Sequence, residues 1–186
     1  MSRPVFTVHT TDTTSDAGRQ IMATVQRKQG HVPTAVALLA ESPELLKGFF
    51  AATAAFESTD LDPVAREVVV LTVATRNECH LCVAMHTATL TGLGGTPELI
   101  EALRSERTLP EPRLEALRRF TLAVLHHRGA TPDDELDDFL AAGWRPRHAL
   151  DVVLGVGAYT ISTFANRLVA APVDPPLAAY AWEPAA

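Results

Sequence analysis

Cys79 and Cys82 are the only cysteines in the chain, and they stand as C-x-x-C within ECHLCVAMHTATL. His86 follows the second cysteine by four residues, and Glu67 precedes the first by twelve. If Cys79 opens a helix, Cys82 lies one turn on and shares its face, so the two sulfurs can meet. The separation of two such Cα atoms falls within disulfide reach. A cysteine at the start of a helix also feels the positive end of the dipole, which favours the thiolate. His86, a turn beyond Cys82 on the same face, can take the thiol proton or stabilise the thiolate. Glu67 belongs to the preceding helix, on a face continued by Val70, Leu71 and Ala74. A carboxylate on such a face must find a partner. An antiparallel hairpin would bring it to His86 and set carboxylate, imidazole and thiol in series, the arrangement of an activated nucleophile.

Other chemistries fit the same four residues. C-x-x-C with one His and one Glu supplies four possible zinc ligands, although the chain has no second cysteine pair. Each residue alone also has a plain reading: a small core cysteine, an interior histidine, a glutamate paired with Arg66 or Arg76. The spacing of the cysteines, with a histidine close by, favours redox or metal chemistry over packing.

The elements that must position these residues read as helices. SDAGRQIMATVQRKQG begins with a Ser/Asp cap signal and stops at Gly30. SPELLKGFFAATAAFES has Ser42 as cap, Pro43 at the first helical position and apolar residues at helical spacing. LDPVAREVVVLTVATRNE repeats the device with Asp62 and Pro63. Its β-branched run is compatible with a strand, but the capped start and the lack of a pairing partner point to a buried helix. The cysteine segment follows and ends at GLGG. Then come a short helix at TPELIEALRSE and an amphipathic one closing at Gly129. TPDDELDDFLAAG is read as capped by Thr131 and stopped by Gly143. The longest helix, RPRHALDVVLGVGAYTISTFANRLVAA, is last. The sequence thus predicts a single all-α domain over 1–186, with about eight helices and short antiparallel connections. Residues 1–15 read as a loosely packed arm, and the proline-rich 172–186 as a loosely packed tail.

Composition narrows the function. The chain has 186 residues, enough for one well-filled core. A formal charge of −6, with no run of five or six like charges, argues against a nucleic-acid partner, which needs a basic face. The N-terminus lacks the apolar core of a signal peptide. The most apolar stretch, Val152 to Ala165, is shorter than a bilayer span and reads as a buried core helix. The expectation is a cytoplasmic protein that does not enter the membrane. His31, His126, His127 and His148 read as turn or helix-end residues. Asn166 and Arg167, polar groups on an otherwise apolar helix, have two readings: the lining of a pocket or oligomer contact and, the one favoured, the surface end of the last helix.

The pattern E-x11-C-x-x-C-x3-H, carried by Glu67, Cys79, Cys82 and His86 on adjacent helices, resembles the signature of the alkylhydroperoxidase D (AhpD-like) family. That family lies within the carboxymuconolactone decarboxylase superfamily, and the closing helix YTISTFANRLVAA is similar to that of its peroxidase-related branch. The resemblance implies an all-α fold with the motif on a helical hairpin, assembled as trimers or hexamers. It implies an antioxidant peroxidase that needs no bound cofactor or metal. In that scheme Cys82 attacks a hydroperoxide, Cys79 resolves the product as a disulfide, and His86 with Glu67 moves the proton. A dithiol protein, lipoyl-bearing or thioredoxin-like, then reduces the disulfide. Where some members carry a histidine directly before the second cysteine, this chain has Leu81, with His80 one place earlier. Two alternatives remain: a metal-binding helical module, or a non-redox lyase like the lactone-processing members, which do not rely on this cysteine pair.

Overall fold

The computed structural model describes residues 5–184, and these form nine α-helices and one 3-10 helix, with no strand among them. The helices are α1 (Asp16–Gln29), α2 (Thr34–Leu39), α3 (Pro43–Glu57), α4 (Pro63–Arg76) and α5 (His80–Gly92). They continue as α6 (Pro97–Arg104), α7 (Pro112–His127), α8 (Asp133–Ala141) and α9 (Pro146–Leu168), before the 3-10 helix Pro175–Tyr180.

α4 is the hub, packed against α5, α7 and α9, while α9 also lies along α3. Asp62 accepts from the Ala65 N–H and Pro63 sets the first turn, so the helix starts where the sequence requires. Val68, Val69, Val70, Leu71, Val73 and Ala74 are all fully buried. A valine costs at most about 0.7 kcal/mol of helix propensity relative to alanine. Burying one gains roughly 1.5–3 kcal/mol. Burial therefore decides, and the β-branched run is a helix apolar on every side. α9 approaches closely because Gly155 has no side chain: a Cβ there would lie 2.7 Å from the Phe56 ring and 3.0 Å from Val69.

The α4–α5 turn determines where Cys79 lies. The Cys79 N–H bonds to the Ala74 carbonyl at 3.0 Å, and the Glu78 N–H to that of Thr75 at 2.8 Å. Glu78 is left-handed, with φ 49°. This is a Schellman ending for α4, with a glutamate where glycine is usual. Cys79 completes that motif and is also the N-cap of α5, its carbonyl accepting from the Val83 N–H. α9 holds the turn from outside. Thr163 Oγ1 accepts from Asn77 Nδ2 at 3.0 Å, and Arg167 reaches both the Asn77 carbonyl and the Glu78 carboxylate.

Several sequence-based expectations need correction. α2 was not expected: TAVALL has no side-chain cap and is held by packing of Ala35, Ala37 and Leu38. α8 begins after Pro132, with no side-chain cap from Thr131. α7 stops one residue earlier than expected, at a left-handed Arg128 before Gly129. The described part of the tail is anchored rather than loose. Trp182 joins the main core and donates to the Arg104 carbonyl, while the Arg104 guanidinium holds the carbonyls of Tyr180 and Ala181. The described part of the arm is likewise tied down, with His9 bonded to the Ala37 carbonyl and Glu41, and Thr14 buried against the Ala40 carbonyl. α9 is long and apolar enough to cross a membrane. Its packing against α3 and α4 makes it a core helix, but one that is buried along only one side.

Candidate active site

The α4–α5 hairpin brings Glu67, Cys79, Cys82 and His86 into one buried neighbourhood. Cys79 caps α5 and Cys82 lies in its first turn, where the helix dipole favours negative charge. Their sulfurs are 3.0 Å apart, and the Cys79 thiol donates to Cys82 Sγ. The two cysteines are free, and only 2% and 1% exposed. Glu67, 8% exposed, meets His86 directly: Oε2 is 2.8 Å from Nδ1. Among the described residues no hydrogen bond joins His86 to Cys82, so the imidazole acts on the thiol by its charge through space. Nor do three or more His, Cys, Asp or Glu side chains converge there as a metal site.

The ionisation of the site follows from these contacts. The hydrogen bond from Cys79 does most to stabilise the Cys82 thiolate and outweighs its burial; Asn166, Ser162 and the charge on His86 add to it, and the pKa falls to about 6. The same hydrogen bond, with burial, pushes the Cys79 thiol well above its ordinary value. Burial opposes protonation of His86, but the Glu67 carboxylate, by charge and hydrogen bond, overcomes it and the imidazole pKa is raised. Tyr159, edge-on to His86 at 5.0 Å between ring centres, is held neutral by burial and by the charges of Glu67 and Glu57. Near neutral pH the site is thus built for one thiolate, Cys82, beside one thiol, Cys79.

α9 adds two residues that the sequence reading did not assign. Asn166 Nδ2 donates to Cys82 Sγ at 3.3 Å and to Ser162 Oγ at 3.4 Å, and Ser162 Oγ is 3.6 Å from the same sulfur. Asn166 is 6% exposed, not the surface helix end expected of it. The available signal was spacing: Tyr159, Ser162 and Asn166 are polar groups on one face of an otherwise apolar helix. His80 turns away, its Nδ1 bonded to the Trp182 carbonyl at 2.8 Å. His126 and His127 end α7, and His148 packs beside Asp60.

A cavity of about 380 Å³ opens beside the motif. Its walls are mainly apolar, including Leu39, Phe49, Phe50, Leu81 and Met85; His86, Ser162 and Asn166 form its polar part on the side of the motif, and Gln29, His31, Thr89 and Asp174 also line it. Pro176 and Leu177 of the tail close one side. A second cavity of about 620 Å³ lies across Phe49, Phe50, Met85 and His86, so His86 borders both.

An all-α bundle with C-x-x-C at the start of the second helix of a hairpin, and a Glu–His pair bridging that hairpin, has the AhpD-like helical fold. Residues 41–122 match the carboxymuconolactone decarboxylase family model. The fold is similar to that of an uncharacterized peroxidase-related protein from Ralstonia eutropha JMP134, described as an alkylhydroperoxidase AhpD core. That match has a TM-score of 0.80 and 23% identity, covering 95% of this chain and 96% of that one. A peroxidase-related protein from Silicibacter sp. TM1040 matches with a TM-score of 0.79 and 19% identity over 95% and 93% of the two chains. A variant of the debrominase Bmp8 in complex with 2,3,4-tribromopyrrole matches with a TM-score of 0.75 and 10% identity, over 97% and 96%. No curated protein sequence matches the chain. Identities this low establish a shared fold.

Proposed function

We propose that the protein is a thiol-dependent hydroperoxidase in which Cys82 is the nucleophile and Cys79 the resolving thiol. The observation that carries this reading is the 3.0 Å approach of the two sulfurs, with Cys82 as the one favoured to ionise. The Cys82 thiolate attacks the terminal oxygen of a hydroperoxide. A sulfur–oxygen bond forms, the O–O bond breaks, and the departing alkoxide takes its proton from the His86 imidazolium. Glu67 holds that imidazolium in place. The Cys79 thiol then condenses with the sulfenic acid on Cys82, releasing water and leaving a Cys79–Cys82 disulfide. A dithiol returns the pair to its reduced state by exchange.

The burial of both sulfurs bears on the reductant. A flat protein surface does not reach a sulfur 1–2% exposed, whereas a slim dithiol arm of the lipoyl type suits a cavity lined by Ser162 and Asn166, the neighbours of Cys82 Sγ. Among dithiol partners, the lipoyl-bearing kind is therefore favoured over a thioredoxin-like one. A homo-oligomer, trimeric or hexameric, is supported by α9. Its outer side carries Leu150, Val153, Ile161, Phe164 and Leu168, all exposed and spaced along one stripe. The setting proposed for this activity is cytoplasmic antioxidant defence.

The fold shared with a debrominase favours a second substrate class, since a thiolate also attacks electrophilic halogen. The test is turnover of the reduced protein with a dithiol, given an organic hydroperoxide or a brominated aromatic in parallel. Consumption of hydroperoxide that is lost in Cys82→Ser supports the proposal. Activity only on the brominated compound moves the substrate class. Activity on a lactone acid that survives replacement of both cysteines replaces the proposal with the lyase reading.

A further inference from the structure

Cys82 Sγ receives groups from two helices, and only those of α5 belong to the motif. From α9, Asn166 and Ser162 lie one turn apart and converge on the same sulfur. Asn166 uses one amide group twice, donating to the sulfur and to Ser162 Oγ. Because Ser162 Oγ accepts from Asn166, its own proton is free to point at Cys82. The remaining atom of the amide, Asn166 Oδ1, is buried and has no hydrogen-bond partner. An unpartnered buried acceptor forfeits the hydrogen bonds it had with water, so its place beside a reactive sulfur calls for a reason.

We propose that Asn166 and Ser162 are catalytic residues, a polar cradle on α9 that holds Cys82 Sγ as the nucleophile and receives the hydroxyl it acquires. Before reaction the amide and hydroxyl donate to the sulfur. On attack, one new O–H group arrives next to the cradle: that of the incoming hydroperoxide, retained as the Sγ–OH of the sulfenic acid. Asn166 Oδ1 is the free acceptor for it. Held in this way, the sulfenic acid waits for Cys79, and the condensation releases water and empties Oδ1 again. The part of the proposal that concerns the sulfenic acid rests on the peroxidase reading above. The part that concerns the thiolate does not.

Other titratable and charged groups face the site and must be held constant in a test. Cys79, the N-cap of α5, and His86 on α5 act on Cys82 directly, while Arg167 of α9 acts on Cys79, and Glu67 of α4 and Glu57 of α3 act on His86 and on the neutral Tyr159 of α9. None of them needs to be altered for the alkylation measurement. Asn166→Leu keeps the approximate shape and removes both amide groups, while Ser162→Ala removes only the hydroxyl.

The experiment is the pH dependence of Cys82 alkylation by iodoacetamide in the reduced, full-length protein, read by peptide mass. Thermal unfolding is followed alongside, and the sulfenic acid formed with one equivalent of hydroperoxide in a Cys79→Ser background is trapped with dimedone. The parent midpoint is expected near 6. Asn166→Leu should raise it by about one pH unit or more, and so slow alkylation roughly fivefold or more at pH 6, with Ser162→Ala moving it less in the same direction. Trapped sulfenic acid should fall in Asn166→Leu relative to its own background. Folded variants that keep the parent midpoint overturn the cradle, even if the parent consumes hydroperoxide. Shifted midpoints in a protein that ignores hydroperoxide leave the thiolate cradle standing and remove the peroxidase reading. If Asn166→Leu does not fold, the midpoint of Ser162→Ala decides.

Discussion

α5 and α9 both reach the sulfur of Cys82, and they bring different kinds of group. α5 supplies residues that change state. In the proposed cycle Cys79 gives up a proton and forms a bond, and His86 gains and loses charge, with Glu67 of α4 behind it. α9 supplies residues whose covalent state never changes: an amide, a hydroxyl and a buried tyrosine. The moving parts sit on a hairpin whose turn is tied down by Thr163 and Arg167 of α9. The fixed dipoles sit on the longest helix, pressed against α4 at Gly155. Preorganised dipoles stabilise developing charge without having to move at the moment of reaction. The difference thus separates the groups that react from the groups that keep them ready.

Changes on the α5 side should have the largest effect. Cys82→Ser is expected to abolish turnover, and Cys79→Ser to allow one oxidation per chain without an efficient cycle, both seen by intact mass after peroxide. Turnover by Cys82→Ser with a dithiol would reverse the roles of the two helices. Next is Glu67→Gln, which keeps the shape but removes the charge behind His86. Loss of the relay should slow peroxide reduction on the order of 10²-fold. Its Cys82 reactivity–pH curve should move up, and a curve identical to the parent's would remove Glu67 from the mechanism.

A smaller effect separates the two thiols by pH. The Cys82 pKa is depressed to about 6 in the folded state. Its contribution to stability is therefore present above the unfolded value of about 8.5 and is lost as pH falls toward 6. The Cys79 pKa is raised, so above about 8.5, where the unfolded thiol ionises and the folded one does not, stability declines. His86, with a raised pKa, contributes below about 6.5 and loses that contribution as pH rises through its folded value. Oxidation removes the two thiol contributions and leaves the Glu67–His86 pair. The stability of the reduced protein minus that of the disulfide form should climb from pH 6 to about 8.5 and fall beyond it. A flat difference would mean that the two thiols are not held in opposite states.

The smallest effect on chemistry should come from the outer side of α9. Phe164, 59% exposed at the centre of the apolar stripe, is the residue to change. Phe164→Glu should lower the oligomeric state in light scattering while leaving Cys82 alkylation close to the parent's. Unchanged mass in solution would leave that face without a proposed occupant.

The sequence was most readable where chemistry is local. Glu67, Cys79, Cys82 and His86 are fixed by two adjacent helices, so helical spacing alone places them near one another. Asp62 with Pro63 and Ser42 with Pro43 announced α4 and α3 in the same way. What lay beyond reach was set by packing between distant segments. Asn166 is separated from Cys82 by 84 positions, and only the crossing of α9 over the α4–α5 hairpin makes it a partner of the sulfur. α2 has no cap to announce it, and the tail is held through Trp182 and Arg104, which no local pattern connects. Even the apolar character of α9 was ambiguous, because a stripe facing a partner and a stripe facing the core are written with the same residues.

The most direct test of the redox pair is a thiol titration with intact mass, before and after one equivalent of an organic hydroperoxide, with metal analysed on the same sample. The account requires the loss of both thiols and of two hydrogens' mass, reversed by a dithiol. Thiols that remain titratable after peroxide contradict it: with one metal ion per chain they would make Cys79 and Cys82 ligands, and without metal they would make them packing.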